Sequence, residues 1–108
     1  TNEIHKGGCS CGAVRYQTTG KPERVGVCHC RYCQTRTGSA FGVSVYFKDV
    51  NVQKTSGNLN KFEFKTESGR SFVQEFCPTC ATTVFWTVEV FEGMIGIAGR
   101  SLSTLYLV

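Results

Sequence analysis

Seven cysteines stand in three short groups: Cys9-Ser10-Cys11, Cys28-His29-Cys30-Arg31-Tyr32-Cys33 and Cys77-Pro78-Thr79-Cys80. Thiolates at such spacings are ligands for a borderline-soft ion such as zinc. Four make a closed tetrahedral site and three leave a position open for chemistry. Joining Cys9 and Cys11 to Cys77 and Cys80 gives one closed set, with Cys28, Cys30 and Cys33 as an open one. The competing assignment, Cys77 and Cys80 with two members of the central group, is equally permitted by spacing. The first arrangement leaves no ligand over. A disulfide framework fits less well. Seven is odd, and cysteines one residue apart bridge badly because a disulfide needs Cβ atoms about 3.8 Å apart with a strongly twisted torsion.

The elements that must position these thiols read as strands. Ala13 to Thr18, Ala40 to Phe47 and the Phe62 to Phe64 region alternate apolar and polar residues, the pattern of half-buried strands. Further strands are expected over Val25 to Cys28, Val50 to Lys54, Ser71 to Phe76, Thr83 to Val90 and Met94 to Ala98. Turns are expected at Gly7-Gly8, Thr19-Gly20, Ser56-Gly57-Asn58, Ser68-Gly69 and Glu92-Gly93. Arg31 to Thr37 offers one helical turn. Short strands at regular spacing imply a mainly β, antiparallel chain, and 1–108 reads as a single domain. On an extended segment Cys28 and Cys30 share a face while His29 points the other way, which makes His29 a packing residue rather than a ligand. Cys33 then comes round on the turn. Trp86 reads as sheet core and His5 as a surface residue.

Twelve Lys and Arg against eight Asp and Glu give a net charge of +4, scattered singly along the chain. Nucleic-acid binding usually needs a concentrated basic patch, so a solvated surface is the better reading. No apolar run approaches the roughly 18 residues of a membrane span, and no segment resembles a secretory leader. Clustered free thiols without such a leader point to the cytoplasm.

Gly7-Gly8-Cys9-Ser10-Cys11-Gly12-Ala13-Val14-Arg15-Tyr16, then Cys28-His29-Cys30-Arg31-Tyr32-Cys33-Gln34 with Gly38-Ser39-Ala40-Phe41, then Phe76-Cys77-Pro78-Thr79-Cys80, resembles the glutathione-dependent formaldehyde-activating enzyme family, which includes centromere protein V. The resemblance implies a β-tent fold shared with a Rab guanine-nucleotide exchange factor. It implies a structural zinc on Cys9, Cys11, Cys77 and Cys80, and a catalytic zinc on Cys28, Cys30 and Cys33. The implied activity is that of S-(hydroxymethyl)glutathione synthase, a carbon–sulfur lyase joining glutathione to formaldehyde. The alternative is a non-catalytic, zinc-stabilised binding module with a protein or nucleic-acid partner. Arg31, Arg36 and Arg70 are candidates for glutathione carboxylates. Two departures stand out: Ala81 follows Cys80 where the family usually has glycine, and Ala98-Gly99-Arg100-Ser101-Leu102-Ser103 replaces a more acidic stretch. Members often continue with a segment that covers the sheet, so the chain is expected to lack one.

Overall fold

Nine strands and one short helix account for most of residues 3–102, the part that the computed structural model describes. In chain order they are β1 (Ile4–Gly8), β2 (Arg15–Thr19), β3 (Arg24–Cys28), α1 (Arg31–Thr37), β4 (Gly42–Lys48), β5 (Val52–Ser56), β6 (Asn60–Lys65), β7 (Ser71–Phe76), β8 (Thr83–Val88) and β9 (Met94–Ala98). Single 3-10 turns at Asp49–Asn51, Glu89–Phe91 and Gly99–Ser101 follow β4, β8 and β9. The first two shorten the strands expected over Val50 to Lys54 and Thr83 to Val90. The stretch at Ala98 to Leu102 closes through the third, while Ser103 lies outside the described residues.

Every strand pairing is antiparallel. A three-stranded sheet has the order β1-β2-β5, and a six-stranded sheet the order β3-β4-β9-β8-β7-β6. Valine, isoleucine and aromatic side chains dominate β4, β8 and β9, as a pleated surface buried on one face requires. Val45 stands opposite Ile97, which stands opposite Phe85. This row joins Val14 and Tyr16 of the smaller sheet's hairpin in one core, with Phe47, Val84 and Leu102. Tyr16 and Phe85 meet at 5.0 Å between ring centroids. Cys9 and Cys77 belong to the same buried cluster, so the first cysteine group is built into the core's edge.

The turn expected at Gly7-Gly8 is instead the end of β1, where Gly7 pairs with Tyr16 and Gly8 with Arg15. Close approach explains these glycines. A Cβ on Gly7 would stand 2.3 Å from the Ser101 carbonyl oxygen and 2.6 Å from the Tyr16 hydroxyl. Gly7 also bridges to Leu102, tying the segment after β9 to β1. His5 is less exposed than expected, with a side chain 13% accessible and its Nε2 3.0 Å from Glu3 Oε1.

The six-stranded sheet has a second face, which lies under α1. One row across it runs Arg24, Tyr46, Gly96, Trp86, Gln74 and Phe62, read from the paired registers. Trp86 is 2% exposed, as expected of a buried ring, but it lies on this face and outside the core between the sheets. Helix α1 covers it.

Candidate functional site

Two loops bring four sulfurs together at one end of the molecule. Cys9 and Cys11 sit between β1 and β2, and Cys77 and Cys80 between β7 and β8; all four Sγ atoms lie within 4.8 Å of one another. The Cys9–Cys11 and Cys11–Cys77 separations are 3.6 and 3.8 Å. A tetrahedron with Zn–S bonds of about 2.3 Å has edges of about 3.8 Å, so this donor set fits zinc. Backbone N–H groups already point at the sulfurs, from Val14 to Cys9 at 3.3 Å and from Thr79 to Cys77 at 3.4 Å. Thr82 Oγ1 lies 3.1 Å from Cys80 Sγ.

These contacts split the acidities of Cys9, Cys11 and Cys80. The Thr82 hydroxyl and backbone N–H bring Cys80 down to about 5. Burial opposes ionisation of Cys9, yet the Val14 N–H and two neighbouring thiols outweigh it and lower its pKa. The Ala13 N–H favours a Cys11 thiolate, but hydrogen bonding to Cys9, burial and hydrogen bonding to Cys77 and Cys80 together push Cys11 up to about 11. Four thiolates at these separations need a cation between them.

The second cluster lies at the end of β3, an edge strand of the large sheet. Cys28 ends β3, Cys30 is the N-cap of α1 and Cys33 lies in its first turn; their three Sγ atoms also lie within 4.8 Å. Cys30 is exposed and the other two are half-buried. Burial opposes a Cys30 thiolate, yet the Cys33 N–H and the adjoining thiols lower its pKa. Cys33 is pushed up to about 12, first by burial and then by Cys28 and Cys30. His29 is exposed and outside the group, its ring 5.6 Å from Phe41. Helix α1 runs for two turns rather than one and stops where Gly38 takes φ +70° and its N–H reaches the Gln34 carbonyl at 2.8 Å.

Arg36 in the last turn of α1 lies over Trp86, its Cζ 4.2 Å from the ring. Gly42, opposite Cys28 on β4, makes room for it. A Cβ there would stand 2.5 Å from Arg36 Nη2 and 3.3 Å from Cys33 Cβ. That Nη2 is enclosed and has no hydrogen-bond acceptor among the described residues. An enclosed, unpaired guanidinium N–H beside a cluster of thiols fits a site whose loaded form is anionic, as zinc with three thiolates is. Gly96 performs the matching service for Trp86. Its missing Cβ would be 2.2 Å from the indole Nε1, which donates to the Tyr46 hydroxyl at 3.0 Å. Burial raises the pKa of that phenol.

Of the three arginines singled out in the sequence, Arg31 and Arg36 share one groove of about 460 Å³. Tyr32 and Thr35 complete its helical side, and Phe62, Phe64 and Gln74 form its sheet side. Arg70 lines a neighbouring hollow of about 300 Å³ with Tyr32, Tyr46 and Phe91. Arg31 also faces Glu67 at 3.5 Å, an exposed pair. Sequence reading missed the aromatic wall and the part played by Gly42 and Gly96. Glycine inside a strand pattern is a signal of close approach and would have pointed to both.

Two antiparallel sheets with a four-thiol and a three-thiol cluster define a mainly β chain whose cysteines could hold two metal ions. The family model for glutathione-dependent formaldehyde-activating enzyme matches residues 4–105, and the chain belongs to that family. The crystal structure of a Rhodobacter sphaeroides protein, a structural-genomics target, has the same fold with a TM-score of 0.74 at 20% identity. The match covers 94% of this chain and 91% of that one. Among the described residues, no helix is long and apolar enough to cross a membrane.

Proposed function

We propose that the chain is a zinc-dependent carbon–sulfur lyase that adds a small thiol, glutathione being the first candidate, to formaldehyde or a related aldehyde. A sulfur–carbon bond forms, the carbonyl π bond opens onto oxygen, and the thiol's proton ends on that oxygen. Nothing is oxidised or reduced. The observation that carries this reading is the set of three sulfurs within 4.8 Å at the surface end of α1.

In this reading Cys28, Cys30 and Cys33 hold the catalytic zinc, while Cys9, Cys11, Cys77 and Cys80 hold a structural one. Zinc on three thiolates supplies a Lewis-acidic open position that lowers the pKa of an incoming thiol. The chain's own residues do the rest. Amide N–H groups of α1's first turn favour the thiolate form of the ligands, as the lowered Cys30 pKa reflects. Arg36 offsets the negative charge of the cluster from the sheet side and offers its enclosed N–H to an anionic ligand.

Native mass spectrometry with and without glutathione tests this directly. Two zincs per chain are expected, with a glutathione adduct that disappears in Cys28→Ser. Exchange NMR with labelled formaldehyde should show turnover that is lost in Cys30→Ser while the fold persists. Cys11→Ser should lose the other zinc and a large part of the stability. A single zinc and no adduct would leave the zinc-stabilised binding module as the working description.

A further inference from the structure

The two cysteine groups differ in what holds them in place. Cys9 and Cys77 are core residues, 5% and 1% exposed, and the four-thiol set joins the β1–β2 connection to the β7–β8 turn. The other three sulfurs all come from the single stretch Cys28 to Cys33. No residue from 19 to 41 is buried: β3 is an edge strand of the large sheet, and α1 has no buried side chain. A segment with so little packing rearranges locally without opening the core. Within it, Cys30 is exposed at the N-cap of α1, and Cys33 is half-buried in the first turn. Their Sγ atoms lie within 4.8 Å of each other, and closing that gap to a disulfide bond of about 2.05 Å needs only a local shift. Cys28 and Cys30, one residue apart, bridge badly.

We propose that Cys30 and Cys33 are a peroxide-modification site: they close into a reversible disulfide that empties the three-thiol site of zinc, while the four-thiol site and the fold persist. The exposed Cys30 sulfur attacks one peroxide oxygen, the O–O bond breaks, Cys30 becomes a sulfenic acid and hydroxide leaves. The Cys33 sulfur then attacks Cys30, the S–S bond forms and a second hydroxide leaves. Two electrons pass from the two sulfurs to the peroxide, whose oxygens end as water after taking up protons from solvent. Cys28 alone remains as a ligand, too few to hold zinc. Reduction runs through a small thiol. Its thiolate attacks the exposed Cys30 sulfur and Cys33 leaves; a second thiol then releases Cys30, and the two small thiols depart as their own disulfide. With glutathione in that role, the substrate proposed above itself restores the site. This inference rests on the reading of the three thiols as a zinc site and is independent of which aldehyde reacts there.

Treating the zinc-loaded protein with a small molar excess of hydrogen peroxide tests this without any assay of activity. One of two zincs should be released, followed with a zinc-binding dye and by native mass spectrometry, with the circular dichroism spectrum unchanged. Free thiols are then alkylated in denaturant and the chain is digested with trypsin. Cleavage after Arg24, Arg31 and Arg36 puts Cys28 and Cys30 in the 25–31 peptide and Cys33 in the 32–36 peptide. The bridge should link these two peptides, fragmentation should place the link at Cys30, and Cys9, Cys11, Cys77 and Cys80 should all be alkylated. Glutathione should separate the peptides, and added zinc should refill the site. A link located at Cys28, zinc release without any link, a link that glutathione fails to reverse, or loss of both zincs together overturns the proposal. A protein that holds two zincs and keeps both under peroxide overturns it alone and leaves the lyase reading standing. A protein that holds a single zinc before peroxide removes both.

Discussion

Replacing Ala81 by glycine is expected to stabilise the protein, although it removes a methyl group. Ala81 closes the Cys77-Pro78-Thr79-Cys80 knuckle in the left-handed region, at φ +65°, and among the described residues it is the one non-glycine with positive φ. Two hydrogen bonds hold it there: its N–H donates to the Cys77 carbonyl at 2.8 Å, and the Cys77 N–H to the Thr82 carbonyl at 2.9 Å. A Cβ in this conformation costs about 1–2 kcal/mol through its clash with the following carbonyl. The side chain is exposed, so no packing is lost with it. Glycine's greater freedom in the unfolded chain takes back about 0.4–1 kcal/mol. The balance is a gain of about 0.5–1 kcal/mol, or about 2–5 °C in melting temperature for a chain of this length. Thermal melts followed by circular dichroism measure it, at a fixed free-zinc concentration because bound metal shifts apparent stability. Ala81→Val, which adds branching at the strained position, should move the midpoint the other way. An Ala81→Gly midpoint equal to or below the parent's would refute the assignment of strain to this residue.

Tyr16 predicts an alkaline weakness. It is 1% exposed, its hydroxyl lies 2.6 Å from Ser101 Oγ, and burial pushes its pKa up to about 12. An unfolded tyrosine ionises near 10, so its contribution is intact below about pH 10. It is lost as pH rises towards 12, amounting to about 2–3 kcal/mol. Urea midpoints at pH 9 and pH 11 should therefore fall more steeply for the parent than for Tyr16→Phe; equal slopes would count against it. Gly96→Ala should cost about 1–3 kcal/mol by driving a Cβ into the Trp86 ring and breaking its bond to Tyr46. The chain's single tryptophan makes its emission a direct readout, and an unchanged spectrum and urea midpoint would contradict the packing described.

The sequence by itself determined the cysteine groups, because thiols two or three residues apart are held near one another by covalent geometry alone. It also determined the strand character of most segments and the mainly β class, since alternation reports a half-buried face wherever the partner strand lies. His29 was separable from its cysteine neighbours on the same ground. Tertiary structure decided whatever depends on contacts between distant segments. Spacing left open which partners Cys77 and Cys80 have, and the packing of the β1–β2 connection against the β7–β8 turn joins them to Cys9 and Cys11. Gly7 and Gly8 read as a turn until Tyr16 and Ser101 close over them. Trp86 reads as core from composition, but only strand register assigns it to the face under Arg36. The groove between α1 and β6 exists in neither segment alone, because its walls lie about thirty residues apart and meet only when the large sheet forms.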